Sequence, residues 1–286
     1  MDWKQKLHQV KAGSAATPGG SAAAKGARAP LIEVFGSVQG EGRFAGLPMV
    51  FVRTATCPLR CLYCDTPGSY QAAERFAVRA GPSERFEGNP VTGARAAELV
   101  GLVLKASPHG RSPRVSLTGG EPLVFPDFVR EFGVALRRDG VRLHLETAAI
   151  DPEALSRCVQ QVDHLSADYK LPATLGAAVG GPATDRNGGY GELHRQCCEI
   201  ALRRGATVDV KIVLTDAVTD PAFEQALEQL QPVRAKIQLI LQPVTPFGTV
   251  TRRLRVSELE RFLASAVRAG FDTRVLPQVH KILQLP

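Results

Sequence analysis

From about residue 49 onward the chain alternates short β-rich apolar runs with stretches of helical period, and no other feature limits its fold as strongly. The strand-like runs cover residues 49–54, 114–118, 142–146, 162–167, 207–213, 236–241 and 273–276. Helical patterns lie between them, over residues 94–105, 127–138, 152–159, 193–204, 221–230 and 257–269. Asp151-Pro152 reads as an N-cap followed by proline at the first helical position. Gly140, Gly205 and Gly270 each follow a helical run, where a left-handed cap sits. Strands that alternate with helices pair in parallel, because a parallel connection needs a crossover long enough to hold a helix. About six such units predict an α/β fold, a barrel or partial barrel, rather than two open sheets. In that architecture chemistry collects at the C-terminal ends of the strands. Residues 67–90 and 172–191 read as long loops, and loops of that length are usually functional or mobile.

The chain has 286 residues, 44% of them apolar, enough to bury a full core without a metal or disulfide staple. Residues 11–30 are almost all Ala, Gly, Ser, Pro and Lys and cannot offset the entropy of ordering. Residues 1–30 are therefore expected to be a flexible extension, with a short helix over residues 1–10, and the catalytic domain to run from Leu31 to Pro286. No apolar run is long enough to span a membrane, and no signal-peptide core opens the chain, so a cytoplasmic protein is expected. The net charge is +7. The arginines are scattered, without the interleaved aromatics of single-strand binders. A slightly basic enzyme surface, or an anionic small substrate, accounts for the charge better than a nucleic-acid partner.

Six cysteines without a signal peptide do not make a disulfide framework. Cys197 and Cys198 lie in a helical pattern as small packing residues, and Cys158 stands alone. Cys57, Cys61 and Cys64 crowd into one loop just after a strand, with spacing C-x3-C-x2-C. Structural zinc and electron-transfer iron–sulfur centres both want four protein ligands. No fourth Cys or His has matching spacing, the next being His109 and Cys158. Three thiolates on a [4Fe-4S] cluster leave one iron open to a ligand. With Tyr63 before the last cysteine, the motif resembles the radical SAM superfamily, in which S-adenosylmethionine (SAM) chelates the open iron and is cleaved to a 5′-deoxyadenosyl radical. That resemblance implies an α/β fold of the superfamily's kind, an incomplete (β/α)6-type radical SAM barrel with irregular loops. The run Thr118-Gly119-Gly120-Glu121-Pro122 at a strand end is similar to its GGE element.

The stretch Gln39-Gly40-Glu41-Gly42, followed by Gly46-Leu47-Pro48, Phe51-Val52-Arg53 and Cys64-Asp65-Thr66, narrows the resemblance. Together with Gln278-Val279-His280-Lys281 it resembles the 7-carboxy-7-deazaguanine synthase family, from Leu31 to Pro286. That family converts 6-carboxy-5,6,7,8-tetrahydropterin to 7-carboxy-7-deazaguanine with loss of ammonia, a lyase step in 7-deazapurine (queuosine-type) biosynthesis. It uses SAM catalytically and needs Mg²⁺. The resemblance further implies a homodimer and a flavodoxin- or ferredoxin-type electron donor. Substrate contacts carried over are Val38, Gln39, Gly40, Glu41, Arg53, Thr118, His280 and the terminal Pro286. Arg53 suits a carboxylate because its guanidinium is a planar fork. Thr66 matches the Mg²⁺ ligand, a hard oxygen for a hard cation. SAM contacts carried over are Gly119, Gly120, Glu146, Asp168, Tyr169, Lys170, Gln242, Pro243, Val244 and Thr245.

Three departures are visible. Thr56 stands where a glycine often precedes the first cysteine. Ala148-Ala149 follows Glu146-Thr147 where a Ser/Asn-Gly pair is more usual. Asp168-Tyr169 replaces Ser-Pro ahead of Lys170. Two other readings of the cysteines stay open here: a glycyl-radical-enzyme activating protein, and a zinc-binding protein that interacts with nucleic acid.

Overall fold

The computed structural model describes residues 26–106, 114–176 and 189–285. The proposed helix over residues 1–10, most of the N-terminal extension and Pro286 lie outside them. The strands in chain order are β1 (Arg28–Ala29), β2 (Leu31–Val38), β3 (Pro48–Thr54), β4 (Arg75–Ala80), β5 (Ser83–Gly88), β6 (Val91–Thr92), β7 (Arg114–Gly119), β8 (Arg142–Thr147), β9 (His164–Tyr169), β10 (Thr207–Leu214), β11 (Ile237–Pro243) and β12 (Thr273–Val275). The helices are α1 (Gly93–Ala106), α2 (Pro126–Arg138), α3 (Pro152–Cys158), α4 (Gly189–Arg203), α5 (Asp220–Leu230), α6 (Val256–Arg268) and α7 (Val279–Ile282).

One ten-stranded sheet runs β12-β11-β10-β9-β8-β7-β3-β2-β4-β5. From β3 to β12 every neighbouring pair is parallel, each joined through helices as the alternation predicts. The sheet does not close on itself, and β5 and β12 form its two edges. Asp151 caps α3, its Oδ1 accepting from Ala154 N at 2.9 Å. Gly140, Gly205 and Gly270 take the left-handed backbone expected after their helices.

Three segments differ from expectation. Residues 31–38, outside the expected strands, form β2 and pair antiparallel with β3. Residues 67–90 are not a loop throughout: β4 and β5 form an antiparallel hairpin, and β4 extends the sheet beside β2. The signal is weak because nearly all of β5 is exposed, so it carries no apolar face to give it period two. The composition of residues 26–30 suggests a tail, yet Arg28–Ala29 pair with β6 and Ala27 N donates to Glu131 Oε2 at 2.9 Å. Of the second long loop, only residues 172–176 and 189–191 fall within the description.

Side chains alternate across each parallel strand. Val115 and Leu117, Leu143 and Leu145, Leu165 and Ala167, Val208, Val210 and Ile212, Leu239 and Leu241 face the helices and form the main apolar core. The opposite residues are mostly polar: Ser116 on β7, His144 on β8, His164 and Ser166 on β9, Asp209 and Lys211 on β10, Gln238 and Gln242 on β11, all buried, with Val213 and Ile240 the apolar members of β10 and β11. The concave face of the sheet is thus a polar interior, and its upper end opens into a cavity.

Candidate active site

The cavity, about 260 Å³, sits at the C-terminal ends of β3 and β7–β11. The cysteine loop forms one wall. Cys57, Cys61 and Cys64 all line the cavity, half-buried and free of disulfides. Arg60 braces the loop from inside, donating to Cys57 O at 2.8 Å and Leu59 O at 2.7 Å while its guanidinium stacks on Tyr70. From outside, Leu62 N donates to Thr174 O and Gly176 N to Arg60 O. Burial pushes the Cys57 thiol up to about 12 and raises Cys61 too. A cation bound there has to displace thiol protons. No fourth cysteine is among the lining residues. Three free cysteines on one braced loop, all facing one cavity, are a donor set that fits an iron–sulfur cluster with one iron left open.

The GGE turn holds this loop in place. Gly119 has φ +125°, and a Cβ there would lie 2.4 Å from the Thr54 backbone. A Cβ on Gly120 would lie 2.2 Å from Thr56 O. Only glycines let the two backbones meet, and Gly120 N and Glu121 N donate to Thr54 O and Thr56 O, both at 2.9 Å. Glu121, buried and named in the GGE run without a role of its own, accepts from Leu123 N, Thr147 Oγ1 and Ala148 N. It ties the β7 turn to the end of β8.

The opposite wall comes from residues 38–41 and the C-terminal segment. Gln39 Nε2 donates to Glu146 Oε1 at 2.9 Å, and its Oε1 accepts from Glu41 N at 3.0 Å. Gly40 packs against His280 so closely that a Cβ would lie 1.8 Å from the ring Nδ1. Val279 N donates to Gly40 O at 2.9 Å, fastening α7 to this wall. Glu41 accepts from Gln242 Nε2 at 3.1 Å, from Gln278 Nε2 at 2.9 Å and from Lys211 Nζ. Arg53 lines the cavity with Nε held by Glu33 at 2.9 Å. Thr66 lines it too, its hydroxyl donating to Asp65 Oδ1 at 3.2 Å, and Asp65 pairs with Lys281 at 2.6 Å.

Between the walls lie the strand ends. Glu146 accepts from Ser116 Oγ at 2.5 Å and Thr118 Oγ1 at 3.1 Å. Burial works against its charge, but Lys211 and the Ser116 and Gln39 donors hold it below the usual carboxylate range. Asp168 is likewise buried yet held low by Lys170 at 2.6 Å and Lys211 at 3.2 Å. Two buried acceptors here have no partner among the described residues: Asp168 Oδ1 and Gln242 Oε1. Such atoms are rare in folded proteins and mark places for a ligand or water. Their neighbours suit the donor-rich groups of SAM.

Of the residues carried over from the resemblance, nearly all line this cavity, including Val38, Gly119, Gly120, Lys170, Val244 and Thr245. Tyr169 and Pro243 do not. Strand alternation turns them away: next to Asp168, Tyr169 points to the helix side and donates to Gln229 Oε1, and Pro243 alternates with Gln242. Pro286 lies outside the described residues. Lys211, Glu121, Asp65, Ser166 and Gln278 line the cavity without having been expected there. Lys211 has a signal in retrospect, a lysine on the polar face of an otherwise apolar strand.

A polar, open parallel sheet with a three-cysteine loop beyond its first parallel strand is the architecture of radical SAM proteins, and residues 51–170 match the Radical SAM superfamily. Within it, the chain belongs to the 7-carboxy-7-deazaguanine synthase family. It is 36% identical over 258 residues to the 7-carboxy-7-deazaguanine synthase of Geobacter sulfurreducens, covering 89% of this chain and 97% of that protein. Against the synthase of Methanopyrus kandleri it is 35% identical, over 88% and 92% of the two chains. In fold it resembles the crystal structure of QueE from Escherichia coli, with a TM-score of 0.59, 20% identity and coverage of 88% and 95%. Relatives that match end to end favour neither the activating-enzyme nor the zinc-protein reading. Among the described residues no helix is long and apolar enough to cross a membrane.

Proposed function

We propose that this chain converts 6-carboxy-5,6,7,8-tetrahydropterin to 7-carboxy-7-deazaguanine with release of ammonia. One observation carries the proposal: a single cavity joins the three-cysteine loop to the wall built from residues 38–41 and His280. When bound, the cluster and SAM supply a reductively generated carbon radical. The chain's own groups bind and orient. Gln39, Glu41 and Thr118 face the heterocycle's amide and amine edge. Arg53, its Nε already held by Glu33, offers its remaining nitrogens to the carboxylate. Asp168, Lys170, Gln242, Thr245 and the GGE turn face SAM. The enclosed walls exclude water from the reacting carbon.

Thr66 is the proposed Mg²⁺ ligand. Among the described residues no group of three His, Cys, Asp or Glu gathers to hold a metal. Substrate oxygens and water therefore complete the shell, as Mg²⁺ commonly requires. Chelating divalent cations is expected to suppress turnover without removing the cluster's colour. A catalytic domain over residues 31–286 behind an N-terminal extension, a homodimer, a flavodoxin- or ferredoxin-type reductant and a cytoplasmic location complete the proposal.

The deciding experiment is anaerobic reconstitution with iron, sulfide, SAM, Mg²⁺, reductant and the carboxypterin. Mass spectrometry should find the deazaguanine product and free ammonia. Cys57→Ala, Cys61→Ala and Cys64→Ala should each lose the brown cluster absorbance and all product. A wild-type protein with an intact cluster that cleaves SAM but forms no deazaguanine would falsify the assignment.

A further inference from the structure

Lys211 occupies an unusual place. It lies on the polar face of β10, 8% exposed, and its ammonium serves two carboxylates from different parts of the chain. It pairs with Glu41 Oε2 on the heterocycle wall and with Asp168 Oδ2, 3.2 Å away, at the end of β9. The same Asp168 oxygen accepts from Lys170 Nζ at 2.6 Å. Lys170 Nζ in turn donates to Tyr63 Oη at 3.1 Å, within the cysteine loop. A continuous chain of charged and polar groups therefore crosses the cavity, from Glu41 through Lys211, Asp168 and Lys170 to the residue before Cys64.

Two acceptors along that chain have no donor among the described residues. Asp168 Oδ1 is buried and unpartnered on the SAM side. Gln242 Oε1 is buried and unpartnered beside Glu41, to which the same amide donates through Nε2 at 3.1 Å. Both atoms are placed to receive hydrogens from ligands. The ammonium between them is shared, so whatever satisfies Glu41 changes how much of Lys211 is available to Asp168. A guanidine-like edge that donates to Glu41 takes over the ammonium's task there. Lys211 then turns wholly to Asp168 and fixes that carboxylate with Oδ1 toward the cavity.

We infer that Lys211 is a positioning residue that couples the two ligand subsites, so that the carboxypterin and SAM each bind more tightly when the other is present. The inference deepens the proposed function and rests on it. Coupling of this kind is reciprocal and commonly amounts to a factor of roughly 5–150. It gives the site a reason to hold SAM poorly until the heterocycle has arrived.

The test is the ratio of SAM dissociation constants without and with the carboxypterin, measured by calorimetry on anaerobically reconstituted enzyme with the cluster left oxidised. No turnover occurs under those conditions, so the readout is independent of activity. The wild-type ratio is expected to be about tenfold. Lys211→Met should bring it to within twofold of one, and Lys211→Arg, which keeps the charge, should restore most of it. Because Lys211→Met leaves the half-buried Glu41 without its ammonium, the double variant Glu41→Gln/Lys211→Met removes both charges together and guards against a folding failure. It too should read a ratio near one. A wild-type ratio of one, or a tenfold ratio that survives in both the single and double variants, overturns the inference alone. A wild-type enzyme that binds no carboxypterin overturns the functional proposal and the inference with it.

Discussion

Thr56 has a φ of +76°, a left-handed backbone that side chains bearing a branched Cβ disfavour. It sits directly before Cys57, held by Thr56 N donating to Ser69 O and by Thr56 O accepting from Glu121 N. Glycine, more usual at this point in the family, would take the same backbone without penalty. Thr56→Gly is expected to stabilise the protein by about 1 kcal/mol, the relieved strain exceeding glycine's extra chain entropy, as a rise in urea midpoint at unchanged slope. At this scale the sequence was informative wherever a motif named a residue and silent wherever a role depended on convergence. Glu41 could be picked out from Gln39-Gly40-Glu41-Gly42. Its partner Lys211, 170 residues away, could be marked only as a lysine in an apolar strand, because nothing local says which carboxylate it meets.

Strands β8 and β9 carry an arrangement with a pH signature. His144 and His164 lie edge to face inside the sheet, ring centroids 4.6 Å apart, with Phe44 packed against both. Among the described residues neither ring nitrogen of His144 has a hydrogen-bond partner, nor does His164 Nε2, which lies 3.7 Å from Asp209 Oδ2. Burial pushes His144 down to about 4 and His164 well below its ordinary value. His194 on α4, buried and with Nδ1 against Ala148 O, is also pushed down to about 4. Since the folded state resists protons that the unfolded chain accepts, stability is full above about pH 6.5 and falls as pH drops toward 4. Each histidine contributes a slope of about 1.4 kcal/mol per pH unit within that window. Urea unfolding between pH 7.5 and 4.5 should show that decline, and His144→Phe should make it shallower. The strands themselves were legible, because the helix-facing side is so consistently apolar. The β4–β5 hairpin was not, because its outer strand has nothing to bury. Strand β9 starts two residues later than the apolar run suggests and ends two later, since its last residues, Asp168 and Tyr169, look like loop chemistry.

Taken whole, the molecule divides its labour between the two sides of one sheet. The helix-facing side supplies the main packed core, and the inner side lines the ligand cavity with polar groups beside a small apolar cluster of Val213, Val244 and Val250. Leu145→Ala, at a fully buried position of the outer layer, is expected to cost about 2–5 kcal/mol. Ser166→Ala, one register step across on β9 but on the inner face, should cost less than about 1 kcal/mol, since it removes one small polar group at a cavity wall. Equal losses in thermal unfolding would contradict this division. The fold class followed from periodicity alone, because alternating strands and helices leave few topologies open. The placement of residues 26–30 did not, because their pairing with β6 depends on a short strand more than sixty positions downstream.

That segregation bears on how such a protein changes over generations. Mutations that reshape what the enzyme grips fall on side chains that the scaffold does not lean on, so they can accumulate without an immediate penalty in foldedness. A lineage built this way is free to explore new small molecules while its architecture stays put.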